Sequence, residues 1–485
     1  MRIEQAFALV VELESKGTAA NVQWRSINLW PLIRQCLWFE LLASSLPPEP
    51  PSAKLRWQRL VSQLGKMRRY IASHRDFAVP AASNAQLLFL SRPVYLQKLS
   101  TGKLFDRIVD PLIFARHNVE AWEKLYVSPW PEAESLHFQS RCLTPAYAAL
   151  SEHFSLEDEQ ALRHLATEAG LEPARFLARC KRGLNTFVRW YEAGTILLAR
   201  RSMLRAIYLT SWYFPDMMGL TAAARERGVP VIDVQHGKQG RFQGMYSGWR
   251  RIPPTGYELM PDRFWCWGEP SCDHIMASSP ERKVHRPFVG GFPWLDYYRQ
   301  HISTVGQAHA VAKSVQKKIL VTTQPRQSEN TEPLPDFFVD YLRSLPEGVH
   351  CVIRCHPNDV SGEAYCKRRL KGIPEHLYSI DSGKDNLYDR LLQATHHVTA
   401  YSSCCYEASA FGILTLLYGA DSKALYAEEI LAGEFSWTEG RVADLSAWLD
   451  VSAPAGVTKT SRRHYIESSL ALAGEILSQD SLYAG

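Results

Sequence analysis

The sequence predicts an α/β protein of two Rossmann-like domains facing a cleft, with helical additions on the N-terminal side. Three observations lead there. The chain has 485 residues, too many for one hydrophobic core and in the range of two or three domains. From residue 204 onward, short β-branched and aromatic runs alternate with helical patterns, the order of a parallel sheet covered by helices. A polar connector at roughly 297–316 then separates that series from a second one of the same kind. The expected division is 1–300, with helical additions over 1–200 and a Rossmann-like part at about 204–296, and 301–485, closed by a terminal helix.

Taken in order, residues 1 to about 85 are mostly helical in pattern. NLWPLIRQCLWFELLASSL is strongly apolar and better suited to a core than to a membrane, and PPEPP at 47–51 closes it with a turn. QLLFLS (86–91) has the composition of a buried strand. Residues 130–200 turn helical again, and SLEDEQALRHLATEAG is an amphipathic stretch that Ser155 is placed to cap. LRAIYLTSWY, then FPDMMGLTAAARERG ending at Gly228, then VPVIDVQHG give strand, helix and strand. RFWCWGE (263–269) and PFVGGF (287–292) add short strands. In the second series KKILVTTQP is a strand running into a polar loop, DFFVDYLRSLP a helix, and GVHCVIRCHP and HLYSID strands. NLYDRLLQATHHVTAYSS supplies helix then strand, YEASAFG a helix start, TLLYG a strand, and about 462–482 a final helix.

Composition excludes several classes. With 46% hydrophobic and 22% charged residues this is an ordinary globular chain. A net charge of +5 is small for the length, and no block of Lys and Arg dominates a segment, so nucleic acid is not an expected partner. Mild basicity suits an anionic substrate or an anionic membrane surface as well as a plain solvated one. The ten cysteines are scattered, with no CxxC pair and no zinc spacing, as expected of reduced thiols in a cytoplasmic protein. The opening MRIEQAFALVVELESKG sets acidic residues around a short apolar run, unlike a signal peptide, and no run of about 18 apolar residues is present to span a bilayer.

Loops at the carboxyl ends of the expected strands carry the candidate chemistry, because that is where open α/β sheets take ligands. VIDVQHGKQGRFQGMYSGW (231–249) puts His236 after an apolar run and follows it with glycines. GxGxxG is absent, and GKQG lacks the Lys-Ser/Thr pair of a phosphate loop, so the glycines are expected to allow close ligand approach or φ > 0 turns. His236, with an unperturbed pKa of about 6.5, is the candidate general base, and Gly237 shares its turn; a histidine satisfied by backbone groups is the plain alternative. If His236 is scaffolding, Asp233 and Glu258 are the acids to consider. In the second half, Thr323 and Gln324 follow one strand. Arg354 and His356 lie two apart on an extended segment and so project on the same side, where both can meet a phosphate; Pro357 ends that strand. Ser402 and Ser403 precede a helix start and suit a phosphate, or a simple cap. Glu407, in the first turn of that helix, suits a ribose or sugar hydroxyl. No metal constellation or DxD-like run is visible, so neither metal nor cofactor is expected.

The order of these motifs (an HG turn after a strand, RxHP, then YSSxxYE) resembles the GT-B superfamily of bacterial surface-polymer transferases over roughly residues 205–425. That superfamily includes the CDP-glycerol glycerophosphotransferases of teichoic acid synthesis, the polysialyltransferases and the CMP-Kdo-dependent capsule transferases. The resemblance implies His236 as general base, Arg354, His356, Ser402 and Ser403 on the donor phosphate, and Glu407 on the donor ribose. It departs from the glycerophosphotransferase pattern in HGKQG, which replaces a Trp-preceded HGT run, and in Glu407, where an Asp is usual.

The expected function is therefore a metal-independent glycosyltransferase. It would move a sugar or polyol phosphate from a CMP- or CDP-linked donor to a glycan or lipid-linked glycan acceptor, in the cytoplasm or peripherally at the inner membrane. Two alternatives stand beside it: a nucleotide-sugar 2-epimerase, which needs no acceptor, and a non-catalytic partner in a polysaccharide assembly complex.

Overall fold

The computed structural model describes residues 2–19, 21–44, 82–99, 101–116, 121–127, 135–143, 152–302, 317–324, 333–357, 359, 361–383, 386–450, 464, 466 and 468–479. The turn expected at 47–51, most of the connector at 297–316 and much of 130–155 lie outside them. The chain divides into two compact units, one of Met1–Leu96, Gly102–Trp294 and Ser468–Gly485, the other of Gln97–Thr101 and Leu295–Glu467.

In the first unit, helices α1 (Ile3–Lys16) and α2 (Trp30–Ser44) precede a seven-stranded sheet. Its strands are β1 (Leu87–Ser91), β2 (Trp122–Tyr126), β3 (Arg141–Cys142), β4 (Ala206–Leu209), β5 (Val231–Val234), β6 (Arg263–Cys266) and β7 (Arg286–Val289). They lie in the order β7-β6-β5-β4-β1-β2-β3, all parallel. A parallel sheet is covered on both faces, so its central strands are continuous apolar runs. Every residue of LLFLS and AIYL is accordingly buried, each large side chain contributing about 1.5–3 kcal/mol. Helices α3 (Asp110–Arg116), α4 (Leu156–Glu168), α5 (Pro173–Ala199), α6 (Pro215–Glu226) and α7 (Glu269–Met276) surround it. The Ser155 hydroxyl caps α4 by accepting from the Asp158 amide at 3.0 Å, as its position in sequence implied.

Two expectations need correction here. The region 1–200 is not simply a helical addition, because β1, β2 and β3 belong to the main sheet. WEKLY escaped notice as a strand because Lys124 sits in its middle; that lysine is fully buried and paired with Asp110. The terminal helix α13 (Ser469–Ser478) belongs to the first unit, not the second. It packs on α3, and Ser469 Oγ accepts from the Phe292 amide at 3.0 Å. A short apolar helix near the end of a chain carries no local mark of the sheet it will cover.

The second unit holds a six-stranded sheet of β8 (Lys317–Thr322), β9 (Val349–Arg354), β10 (Tyr378–Asp381), β11 (His396–Thr399), β12 (Leu414–Tyr418) and β13 (Ser436–Thr438). The order is β10-β9-β8-β11-β12-β13, again all parallel. Helices α8 (Asp336–Arg343), α9 (Gly362–Arg369), α10 (Leu387–Leu392), α11 (Cys404–Ala410) and α12 (Val442–Leu449) cover it. In each sheet the chain runs outward on one side and then restarts on the other. The reversal falls between β1 and β4 in the first unit and between β8 and β11 in the second, and such switch points open a ligand crevice at the carboxyl ends of the strands.

Candidate functional site

At the switch point of the first unit, the carboxyl ends of β1, β4 and β5 deliver Ser91-Arg92, Thr210-Ser211 and Gln235-His236 to one place. His236 Nε2 lies 3.2 Å from Ser211 Oγ and 3.4 Å from the Tyr213 hydroxyl. Ser211 Oγ is also 2.6 Å from the Tyr95 hydroxyl, and the Tyr95 and His236 rings are 5.5 Å apart. The imidazole is half-buried, with Nδ1 enclosed and without a hydrogen bond of good geometry; the Val234 main chain gives it only weak support. Burial first, then Arg107 and Arg92, push its pKa down to about 4, so the ring is neutral around pH 7. Arg92 pairs with Asp216 at 2.5 Å and stacks over Phe214. Arg107 pairs with no carboxylate among the described residues.

Beneath this cluster lie two buried carboxyls. Asp233 accepts from the Tyr246 hydroxyl at 2.8 Å and the Trp212 amide at 3.1 Å, and burial raises it to about 8. Asp110, paired with Lys124, is raised to about 7 by burial, with Lys124 opposing and Asp106 adding to the rise. Asp106 in turn accepts from Ser91 Oγ at 2.5 Å. Glu258 takes the Asn28 amide at 3.4 Å.

The loop after His236 is held from outside by the N-terminal helices. Arg34, fully buried in α2, donates to the Gly244 and Ser247 carbonyls, each at 2.9 Å, and to Glu14 of α1 at 2.5 Å. This decides what the glycines are for. The φ of Gly237 is not positive, so the expected left-handed turn is not there, and a Cβ on it meets no protein atom within 4 Å. The requirement sits further along: a Cβ on Gly244 would come within 2.7 Å of Trp38, and Gly248, at φ +79, would meet Phe7 and Val11 at 2.7 Å. Gly244 and Gly248 are needed for the packing of the N-terminal helices.

In the second unit Thr323 and Gln324 follow β8. Thr323 Oγ1 accepts from the His356 amide at 3.2 Å, so the β8 and β9 loops are joined; Gln324 Nε2 is a buried donor with no partner among the described residues. His356 is half-buried and Pro357 exposed. Arg354 does not project freely beside His356. It is buried, donates to Asp381 at 2.8 Å and to the Gly383 carbonyl at 3.0 Å, and so clamps the β9 and β10 loops together. Burial acts to raise the Asp381 carboxyl, but Arg354, the Gly383 amide and Arg390 outweigh it and hold it below the usual carboxylate range. Ser402 Oγ accepts from the Cys404 amide at 3.3 Å and acts as the cap of α11, while the Ser403 side chain caps nothing. Glu407 is buried, with the Tyr388 hydroxyl at 3.4 Å.

Among the described residues no group of His, Cys, Asp and Glu is arranged to hold a metal, and no helix is long and apolar enough to cross a membrane. The cysteines are free thiols. Sequence reasoning missed Arg92, Tyr95, Arg107, Ser211 and Tyr213. A faint signal for the last two existed in LTSWY, where polar residues follow an apolar strand; Tyr95 and Arg107 come from loops that only the fold brings in.

No family model matches the sequence, and no curated protein does. Solved structures share its fold. A UDP-N-acetylglucosamine 2-epimerase aligns over 81% of this chain and 95% of its own, with a TM-score of 0.50 and 13% identity. The UDP-GlcNAc 2-epimerase of Methanocaldococcus jannaschii aligns over 81% and 99%, at 0.50 and 12%. That of Neisseria meningitidis aligns over 82% and 100%, at 0.49 and 13%. Likeness at this identity concerns the fold, which is of the GT-B type. These structures are of 2-epimerases, and the finding goes against the expected glycosyltransferase and toward the 2-epimerase alternative.

Proposed function

We propose that this chain is a nucleotide-sugar 2-epimerase-like enzyme whose substrate carries a UDP group. The observation that carries the proposal is the cluster at the first switch point: a neutral imidazole among serine and phenol hydroxyls, with two guanidinium groups beside it. Inverting C2 of a UDP-sugar takes its proton from one face while the C2–H pair becomes a C1–C2 double bond and the C1–O bond to UDP breaks. Returning a proton to the other face and UDP to C1 closes the cycle with no second substrate and no net oxidation. That calls for a group in the form that accepts a proton, and His236, with its pKa pushed down to about 4, is neutral around pH 7. Asp233 is fully buried, adds to the rise that burial gives the Tyr213 phenol and holds the Trp212 amide, while buried Asp110 is paired with Lys124. Arg107 suits the negative charge of a phosphate.

In the second unit, Thr323, Gln324, His356 and Ser403 stand at strand ends where a nucleotide could be met, and Gln324 Nε2 has no partner among the described residues. The fold likeness to UDP-GlcNAc 2-epimerases supports a UDP-linked substrate and needs no glycan acceptor. The reading is tested by incubating the protein with UDP-GlcNAc alone in heavy water and following the sugar by NMR. A second epimer, with deuterium at C2, is expected. An unchanged spectrum, together with no heat of binding for UDP or its sugars, would overturn it and favour a non-catalytic partner.

A further inference from the structure

Ser211 follows β4 directly, and its backbone is out of the ordinary. Its φ is +58, in the left-handed region that serine seldom occupies. Strain of this kind persists only where the surroundings over-determine it, and it gathers at functional sites. Here the next amide, Trp212, is fixed by Asp233 at 3.1 Å, and Asp233 is itself fixed by Tyr246 at 2.8 Å. The result places a buried hydroxyl between Tyr95, at 2.6 Å, and His236 Nε2, at 3.2 Å.

Burial keeps the Tyr95 phenol protonated, and across the 2.6 Å contact either it or Ser211 can be the donor. With Tyr95 donating, the serine proton points at His236 Nε2 and the ring hydrogen sits on Nδ1 beside the Val234 main chain, while the Tyr213 hydroxyl stands 3.4 Å from the same Nε2. We infer that Ser211 is a positioning residue for His236: its strained turn holds the hydroxyl that fixes the imidazole as the Nδ1–H tautomer with Nε2 as the basic nitrogen. This rests on the reading that His236 exchanges protons with a nucleotide sugar.

The test is Ser211→Gly, which removes the hydroxyl and suits the left-handed backbone. The melting temperature should hold or rise, and UDP affinity should stay within about twofold. The turnover number should fall about 10²-fold, the low end of what a positioned proton-transfer group contributes, with KM little changed. The acid limb of the pH profile should also move to higher pH, because a bond that favours the neutral ring is gone. The other groups facing the imidazole remain: Arg92, Arg107, Tyr95 and Tyr213, with Asp233 below. Ser211→Asn, which tolerates the same backbone and restores a donor, should recover part of the rate. In ¹⁵N NMR the Nε2 resonance should lose its acceptor shift in the glycine variant and regain it in the asparagine variant.

Wild-type turnover with an unmoved acid limb in Ser211→Gly, or an unchanged Nε2 resonance, would overturn the inference. An active His236→Ala protein would overturn the reading beneath it instead. The NMR measurement keeps the two failures apart, since it needs no substrate.

Discussion

The two units share a strand order and use it differently. Both restart their sheets at a switch point, and both send polar loops from it. In the first unit those loops converge on a neutral histidine, and the buried Glu14–Arg34 pair holds the loop that follows it. In the second, the ionic cluster Arg354–Asp381–Arg390 ties two loops together and leaves Thr323, Gln324, His356 and Ser403 at the strand ends. Its other conspicuous histidine, His397, is a buried neutral bridge between Thr322 at 2.9 Å and Thr415 at 3.2 Å. Under the proposed function one sheet order would carry proton chemistry in the first unit and plain binding in the second. What separates them is which side chains the loops deliver, and how much buried charge holds those loops still.

The largest effect that would break this contrast is at His236. His236→Ala should lower turnover at least about 10²–10⁴-fold and leave UDP affinity by calorimetry nearly unchanged. Equal losses of binding and rate would mean that the two units do not divide the work in this way.

The buried charges sharpen it next. Arg34→Met leaves Glu14 buried and alone, which costs about 3–5 kcal/mol. It should lower the melting temperature of the first unit by several degrees and loosen the loop after His236. Glu14→Gln combined with Arg34→Met should restore much of that stability. A single mutant as stable as the parent would show that the pair does not hold the loop.

A smaller effect is electrostatic and has a definite sign. Asp233 has a folded pKa of about 8 against about 3.9 unfolded. The stability it contributes is full below about pH 4 and is lost as pH rises through 8. Asp233→Asn should therefore gain melting temperature relative to wild type at pH 9 more than at pH 5. His236 has the opposite sense: its folded pKa of about 4 makes acid destabilising between about pH 6.5 and 4. Parallel melting curves across that range would sink both assignments.

The smallest effects concern metal and glycine. Activity should persist in excess chelator; loss on chelation, restored by a divalent ion, would refute this. Gly237→Ala should leave melting temperature and rate close to wild type, whereas Gly244→Ala, with a Cβ 2.7 Å from Trp38, should cost about 1–3 kcal/mol.

Much of the fold was legible in the chain itself. Apolar β-branched runs such as KKILVT and VIDV announce strands because a parallel sheet is dry on both faces. Ser155 announces a helix start because its hydroxyl satisfies an amide the helix leaves free. The positions of His236, His356 and Ser402 at strand ends follow from the same periodicity. Local pattern stops there. WEKLY reads as polar because Lys124 meets its partner Asp110 only after folding, and the tail helix gives no sign that it returns to the first unit. RxHP promised two phosphate ligands, but Asp381, on another strand, takes one of them. The cluster around His236 joins residues as far apart as 95, 107, 211 and 236. No periodicity can state that contact, because the distances that make Tyr95, Ser211 and His236 one unit exist only once β1, β4 and β5 lie side by side. The sequence by itself determined the elements, their parallel pairing type and the strand ends where chemistry can sit. Tertiary structure alone decided which side chains meet there, because burial and hydrogen bonding across strands set that, and neither is a local property of the chain.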